Sequence, residues 1–553
     1  MALHMVDDPD GQEDYVDNGG GGGNKGGGGG GGGFNLGGLI GFLPLILGLF
    51  GRGRNSDNNN NNNNNGNSGG GCGGKSLIVL LLIGVAAYFL FFRGGCNMLS
   101  NTGGNTQSNN QFSQSGYNFD ANETKKAQVY EGLEDDSKKN PLPEMVSLAA
   151  FAPSRQNQGK QGSCVAWSSM YAARTILEAA STRQDPNSVA YSPAFLYNNI
   201  ALQDCQGAYI QKAMEFMQTK GAVPFQDFKY DENDCTRQAN GSLEQTASQN
   251  KIHGFHRLTE TDDVNGINIR AIKEHLAKDA PVVIGMMVGG TFMQEMLGQK
   301  IWHPQGSDQD MTGFGGHAMC VIGYDDRLEG GAFQIMNSWG PEWGENGIAF
   351  IRYGDFKNFV REAYGLDPLP KRGAALNVAF ECNVGLYNPE TKQQIPLKLS
   401  AGNVFKTVTP IKKGSKFKIE FKNAVECYVY IFTPADDATK SIVLFPYKPI
   451  HSPYCGITGY RLFPRKESIQ ADQVGNKDLM GVVVSKQQLD YNALNAAINT
   501  STKADFAAKL NDAVSANVIS NVSFGSGTHG SMYFKSAGDS KNIIACIVEI
   551  EKQ

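Results

Sequence analysis

The sequence predicts an α+β chain with two folded domains behind an unstructured, membrane-anchored N-terminus, and three patterns carry that prediction. A helical repeat follows Cys164, apolar strand-like runs flank His317 and precede Asn337, and beyond about Arg372 apolar residues alternate with period two. The 553 residues leave room for about three or four domains. A net charge of -5 without a broad basic stripe argues against a nucleic-acid partner.

Residues 1–74 are dominated by Gly and Asn tracts, including Gly26–Gly33 and Asn58–Asn65, which bury too little apolar surface to offset chain entropy. They are expected to be a disordered tail. Ser76–Phe92 is an uninterrupted apolar run between Lys75 and Arg93. As a helix it covers about 26 Å, slightly short of a ~30 Å hydrocarbon core, with charged ends able to snorkel. Residues 75–93 are therefore expected to be a single transmembrane helix, and the long preceding tail disfavours a cleavable signal peptide. Leu39–Phe50, broken by Pro44, is too short to span and is expected on the membrane surface. Arg52, Arg54 and Lys75 before the span, against Arg93 after it, favour a single-pass topology with the residues beyond the span outside the cytoplasm. Residues 94–140 then form a polar linker rich in Asn, Gln and Ser, with nothing that reads as an independently folded unit.

Cys164 follows Gly162-Ser163 and opens a stretch, Val165 to Ala180, in which Ala166, Met170, Ala173, Leu177 and Ala180 recur at helical spacing. Its sulfur sits at a helix start, where unpaired backbone N–H groups favour a thiolate. Gln158, six residues earlier, could join the N–H of Cys164 in binding an oxyanion. His317 precedes the strand-type run Ala-Met-Cys-Val-Ile-Gly-Tyr, and Asn337 ends the next run, Ala332-Phe-Gln-Ile-Met. Neighbouring strands would bring the two side chains together, with Asn337 orienting the imidazole toward sulfur and Trp339 shielding their hydrogen bond. A cysteine taken alone reads as a core thiol, and a histidine beside an apolar run as a satisfied core residue. Their joint occurrence reverses both readings.

These residues closely resemble the papain family of cysteine peptidases, from about Leu142-Pro143 to about Tyr364. The strongest piece is Asn337-Ser-Trp-Gly-Pro-Glu-Trp343-Gly-Glu-Asn-Gly-Ile-Ala-Phe-Ile-Arg, supported by Tyr191-Ser-Pro-Ala-Phe-Leu-Tyr and Ala280-Pro-Val-Val-Ile-Gly-Met-Met. The resemblance implies a papain-like two-lobed domain over 141–368. Gln158, Cys164, His317 and Asn337 take the oxyanion, nucleophile, base and orienter roles, with a depressed Cys164 pKa. No cofactor or metal is implied. Gln161 stands where many secreted relatives have a cysteine, and Val165-Ala166 separates the nucleophile from Trp167. Cys205 and Cys235 could still pair, as a corresponding pair does in relatives. Gly207-Ala208 is the best match to the relatives' substrate-pairing Gly-Gly, and Gly316 lacks the carboxylate some relatives carry before the histidine. Gly315-Gly316 reads equally as a bend or as clearance for substrate. Gly207, Ala208, Gly316 and Trp339 are the expected substrate-side residues.

Residues 372–553 alternate through Phe417-Lys-Ile-Glu-Phe, Cys427-Tyr-Val-Tyr-Ile-Phe and Ser441-Ile-Val-Leu-Phe-Pro-Tyr, turn helical over Leu489–Val514, and return to strand at Asn542–Glu549. This predicts a β-sandwich-like domain with a small helical insertion, resembling an uncharacterised domain often attached to bacterial peptidases. Cys382, Cys427, Cys455 and Cys546 lack metal-ligand spacing and read as buried thiols. The expected function is a membrane-anchored thiol endopeptidase acting on peptide or protein through a thioester, with an envelope protein as partner of the C-terminal domain. An idle peptide-binding module and a thiol-dependent transpeptidase are the alternatives.

Overall fold

The computed structural model describes residues 3–7, 116–259, 266–370, 380–436, 440–527, 530–536 and 541–553. The predicted span 75–93, the surface segment Leu39–Phe50 and the Gly and Asn tracts lie outside them. Among the described residues no helix is long and apolar enough to cross a membrane.

The first domain packs helices against an eight-stranded sheet. Its central helix runs from Cys164 to Thr182 as three consecutive pieces: α-helical Cys164–Ala166, π-helical Trp167–Arg174 and α-helical Thr175–Thr182. Every residue from Cys164 to Leu177 is buried, because the helix threads between the sheet and the shorter helices Pro193–Ile200 and Ile210–Thr219. Ser192 caps the first of these by accepting from the N–H of Phe195, with Pro193 at the first helical position. Strand order in the sheet is Phe255–Arg257, Val360–Leu366, Val282–Val288, Gly315–Asp325, Ala332–Met336, Ile348–Arg352 and Ile301–Trp302, with Met145–Ser147 also paired to Gly315–Asp325. The antiparallel pairing of Gly315–Asp325 with Ala332–Met336 places the start of one strand near the end of the other. His317 and Asn337 occupy those two ends.

The C-terminal domain is a sandwich. Along Cys427–Pro434, Val429 and Ile431 point into the core shared with the facing sheet, while Tyr430 and Phe432 point to the opposite side, under helices Tyr491–Thr500 and Phe506–Val514. Both faces are covered, so the strand is buried along nearly its whole length. Cys382, Cys427, Cys455 and Cys546 are buried free thiols.

Two segments differ from the expectations. His4–Asp7, placed by composition in the disordered tail, is an edge strand antiparallel to Glu467–Gln470, with Leu3 fully buried and Met5 packed against the sandwich core. Two apolar side chains at period two suffice once a sheet edge offers backbone partners. Residues 116–140, read as a free linker, run across the first domain and then between it and the sandwich. Ala127 and Val129 to Leu133 along this stretch are buried.

Candidate active site

Cys164 opens the central helix with its side chain fully buried. Its Sγ accepts from the backbone N–H of Ala318 at 3.4 Å and from that of Gly116 at 3.3 Å. The first contact sets the sulfur beside the residue that follows His317. His317 is fully buried; its Nε2 lies 2.7 Å from Oδ1 of Asn337. That oxygen also accepts from the N–H of Ser338 at 2.7 Å, so it is fixed as an acceptor and the ring nitrogen must donate. A neutral imidazole donating at Nε2 carries its lone pair on Nδ1, which is buried and has no hydrogen-bond partner. The free basic nitrogen is thus the one not consumed by Asn337. Trp339 stacks on the imidazole, centroids 4.4 Å apart and planes 26° from parallel, and is itself buried. It walls the ring from solvent.

Gln158 is fully buried and held at every polar point. Its Oε1 accepts from Ser338 Oγ at 2.7 Å, its Nε2 donates to the carbonyl of Gln161 at 3.0 Å, its N–H donates to the carbonyl of Ser338 at 2.8 Å, and its carbonyl accepts from Tyr230 Oη at 2.7 Å. An amide nitrogen carries two hydrogens, so one remains for an oxyanion. The backbone of 156–158 pairs with that of 338–340, which locks the loop before Cys164 to the loop after Asn337. Ser338 and Tyr230 have positioning roles that sequence spacing did not reveal. The serine follows Asn337 directly, and that adjacency was the one available signal.

The electrostatics depart from the sequence expectation. Burial pushes the Cys164 thiol up to about 11, against the lowering effect of the N–H groups of Ala318 and Gly116. Burial likewise drives His317 down to about 4, with Asn337 opposing. A neutral thiol faces a neutral imidazole, so the depressed thiol pKa expected from the helix start is corrected for this conformation. The cause is burial, which outweighs the N–H groups of Ala318 and Gly116 that donate to the sulfur.

Residues 116–118 occupy the ground where the expected substrate-side residues lie. Ala208 donates its N–H to the carbonyl of Gly116 at 2.8 Å and accepts from the N–H of Asn118 at 3.1 Å. Gly207, at φ +82°, leaves room for that approach; a Cβ there would lie 2.3 Å from the Gly116 carbonyl oxygen. At Gly316 the neighbour is Tyr117: a Cβ would come within 2.5 Å of its carbonyl oxygen and 2.8 Å of its ring. Trp339 instead meets the imidazole. The Tyr117 ring is buried beside Gly285, where a Cβ would come within 2.2 Å of it. Its phenol is raised by burial and by the charge of Glu362, a buried carboxylate that accepts from Thr124 Oγ1 at 2.7 Å and Tyr364 Oη at 2.8 Å. Cys205 and Cys235 are joined in a disulfide, Cα atoms 6.3 Å apart, near the Gly207 turn. Among the described residues no cluster of His, Cys, Asp or Glu could hold a metal ion.

The family described as "Papain family cysteine protease" matches residues 148–363. Cathepsin K of Mus musculus is 26% identical over 198 residues, covering 35% of this chain and 55% of that protein. Cathepsin B-like CP2 of Giardia intestinalis is 27% identical over 199 residues, covering 35% and 62%. The match thus spans a little over half the length of these relatives. Among solved structures, xylellain, a cysteine protease from Xylella fastidiosa, aligns at 23% identity with a TM-score of 0.38, covering 47% of this chain and 98% of that one. Residues 148–363 are a papain-family cysteine protease domain.

Proposed function

We propose that the chain is a thiol peptidase that hydrolyses peptide bonds, kept latent by its own residues 116–118. The observation that carries this reading is a pair of contacts on adjacent residues: Asn337 Oδ1 holds the His317 ring, and the N–H of Ala318 holds the sulfur of Cys164 at a helix start. With the cleft vacated and wetted, His317 Nδ1 takes the thiol proton as Sγ bonds to the substrate carbonyl carbon. The free Gln158 hydrogen and the Cys164 N–H meet the developing oxyanion. Collapse breaks the C–N bond, and the imidazolium proton goes to the leaving amine. Water, deprotonated at the same Nδ1, then cleaves the thioester and restores the thiol. The backbone of Ala208 would pair with substrate as it pairs with Gly116 and Asn118. Membrane attachment through residues 76–92 belongs to the same proposal, supported by the length of that run and its charged ends.

The test is labelling of the full chain by an electrophilic epoxide after limited proteolysis within 109–120. Stoichiometric modification of Cys164, lost in Cys164→Ala together with peptide hydrolysis, is expected. Hydrolysis surviving in Cys164→Ala would overturn the assignment.

A further inference from the structure

We propose that the C-terminal β-domain is a latch that holds residues 127–140, and through them the occluding residues 116–118, on the first domain. This rests on the latent-site reading above and gives the β-domain a role. Near Val129 the segment is a single strand with a different domain on each edge. On one side Arg257 N–H donates to the Gln128 carbonyl at 2.9 Å and Tyr130 N–H to the Arg257 carbonyl at 3.0 Å. On the other, Val129 N–H donates to the Ile450 carbonyl at 2.8 Å and its carbonyl accepts from Ser452 N–H at 3.4 Å.

The side chains continue the pattern. Tyr130 Oη and the N–H of Leu133 both donate to the buried Glu274 of the first domain, each at 3.1 Å. From the β-domain, the fully buried Arg461 donates through Nε to the Glu131 carbonyl at 3.0 Å, while its Nη1 is anchored on Asn423 Oδ1 at 2.9 Å. His451 pairs with the Glu131 carboxylate. Asn140 closes the far end: its Nδ2 donates to the Tyr460 carbonyl at 3.0 Å and its Oδ1 accepts from Tyr460 N–H at 2.9 Å. A buried guanidinium that loses one of its acceptors is left with an unsatisfied donor, so parting the strand from the β-domain at Glu131 is costly. Direct polar contact between the domains is sparser, as in His256 Nε2 against Ser452 Oγ at 2.9 Å. The β-domain therefore grips residues 129–140 more than it grips the domain behind them.

The experiment measures the iodoacetamide labelling rate of Cys164 in the folded full chain, for wild type, Tyr117→Ala, Asn140→Ala and Val129→Pro. The last two break contacts to the β-domain far from the sulfur. At least tenfold faster labelling than wild type in both is expected. Wild-type rates in both, with Tyr117→Ala fast, would overturn the latch and leave the occlusion standing. A wild type already as fast as Tyr117→Ala would overturn the occlusion itself.

Discussion

Gly285→Ala should open the site by evicting Tyr117. Gly285 lies in the extended strand Val282–Val288, paired with Ala318 on one side and Glu362 on the other, so its backbone accepts a side chain without strain. The added Cβ would stand 2.2 Å from Tyr117 Cζ and 2.5 Å from Cε2 and Oη, more than 1 Å inside ordinary contact. The three nearest atoms all belong to Tyr117, so the strain falls on the closed state. Overpacking of this kind costs about 1–3 kcal/mol, which raises the open population about 5- to 150-fold. In the closed state a thiol pushed up to about 11 is about one part in three thousand ionised at pH 7.5, whereas an ordinary exposed cysteine is about a tenth ionised. Alkylation therefore runs through the open state and reports its population. The assay is iodoacetamide modification of Cys164 at pH 7.5, followed by peptide mass spectrometry in the full chain. Tyr117→Ala should accelerate labelling too, and adding Gly285→Ala to it should change nothing further. A folded Gly285→Ala protein labelled within twofold of wild type would refute the reasoning, as would full additivity of the two substitutions.

Acid should destabilise the first domain through two buried imidazoles. His317 and His275 are both driven down to about 4 by burial, against about 6.5 unfolded, so their contribution is complete above pH 6.5 and drains away as pH falls toward 4. Each group accounts for up to about 3 kcal/mol over that window, and urea midpoints that stay level from pH 7 to 4.5 would contradict it. In protein freed of residues 116–118, Ser338→Ala should lower kcat about tenfold with little change in KM, because Gln158 loses the hydroxyl that holds its Oε1. Ser338→Thr should restore part of the rate, and an unchanged kcat in Ser338→Ala would remove the serine from the site.

Much of the catalytic geometry was legible because it depends on periodicity and strand ends. The helical repeat after Cys164 marked the central helix, and the apolar runs beside His317 and Asn337 became adjacent antiparallel strands. The π-helical stretch Trp167–Arg174 was not legible, since a change from i+4 to i+5 bonding leaves no mark in a repeat of Ala and Met. Residues 116–140 were misread for a different reason. Their composition is polar and aperiodic, and the partners that order them, Ala208, Arg257, Ile450 and Tyr460, lie far along the chain. The Cys164 pKa followed from the same omission, because a helix start favours the thiolate only where water or an ion pair supports the charge.

The strand at Val129 also bears on where this protein can be cut. A fragment begun at residue 148, where the family match starts, would strip Glu274 of the donors from Tyr130 and Leu133 and would deny Arg461 the Glu131 carbonyl. Two buried side chains, one on each side of the removed strand, would each lose part of their hydrogen bonding, with Glu274 left on Arg270 and Arg461 left on Asn423 and Ile457. Boundaries chosen by likeness to relatives would pass through the seam that joins the halves of this molecule.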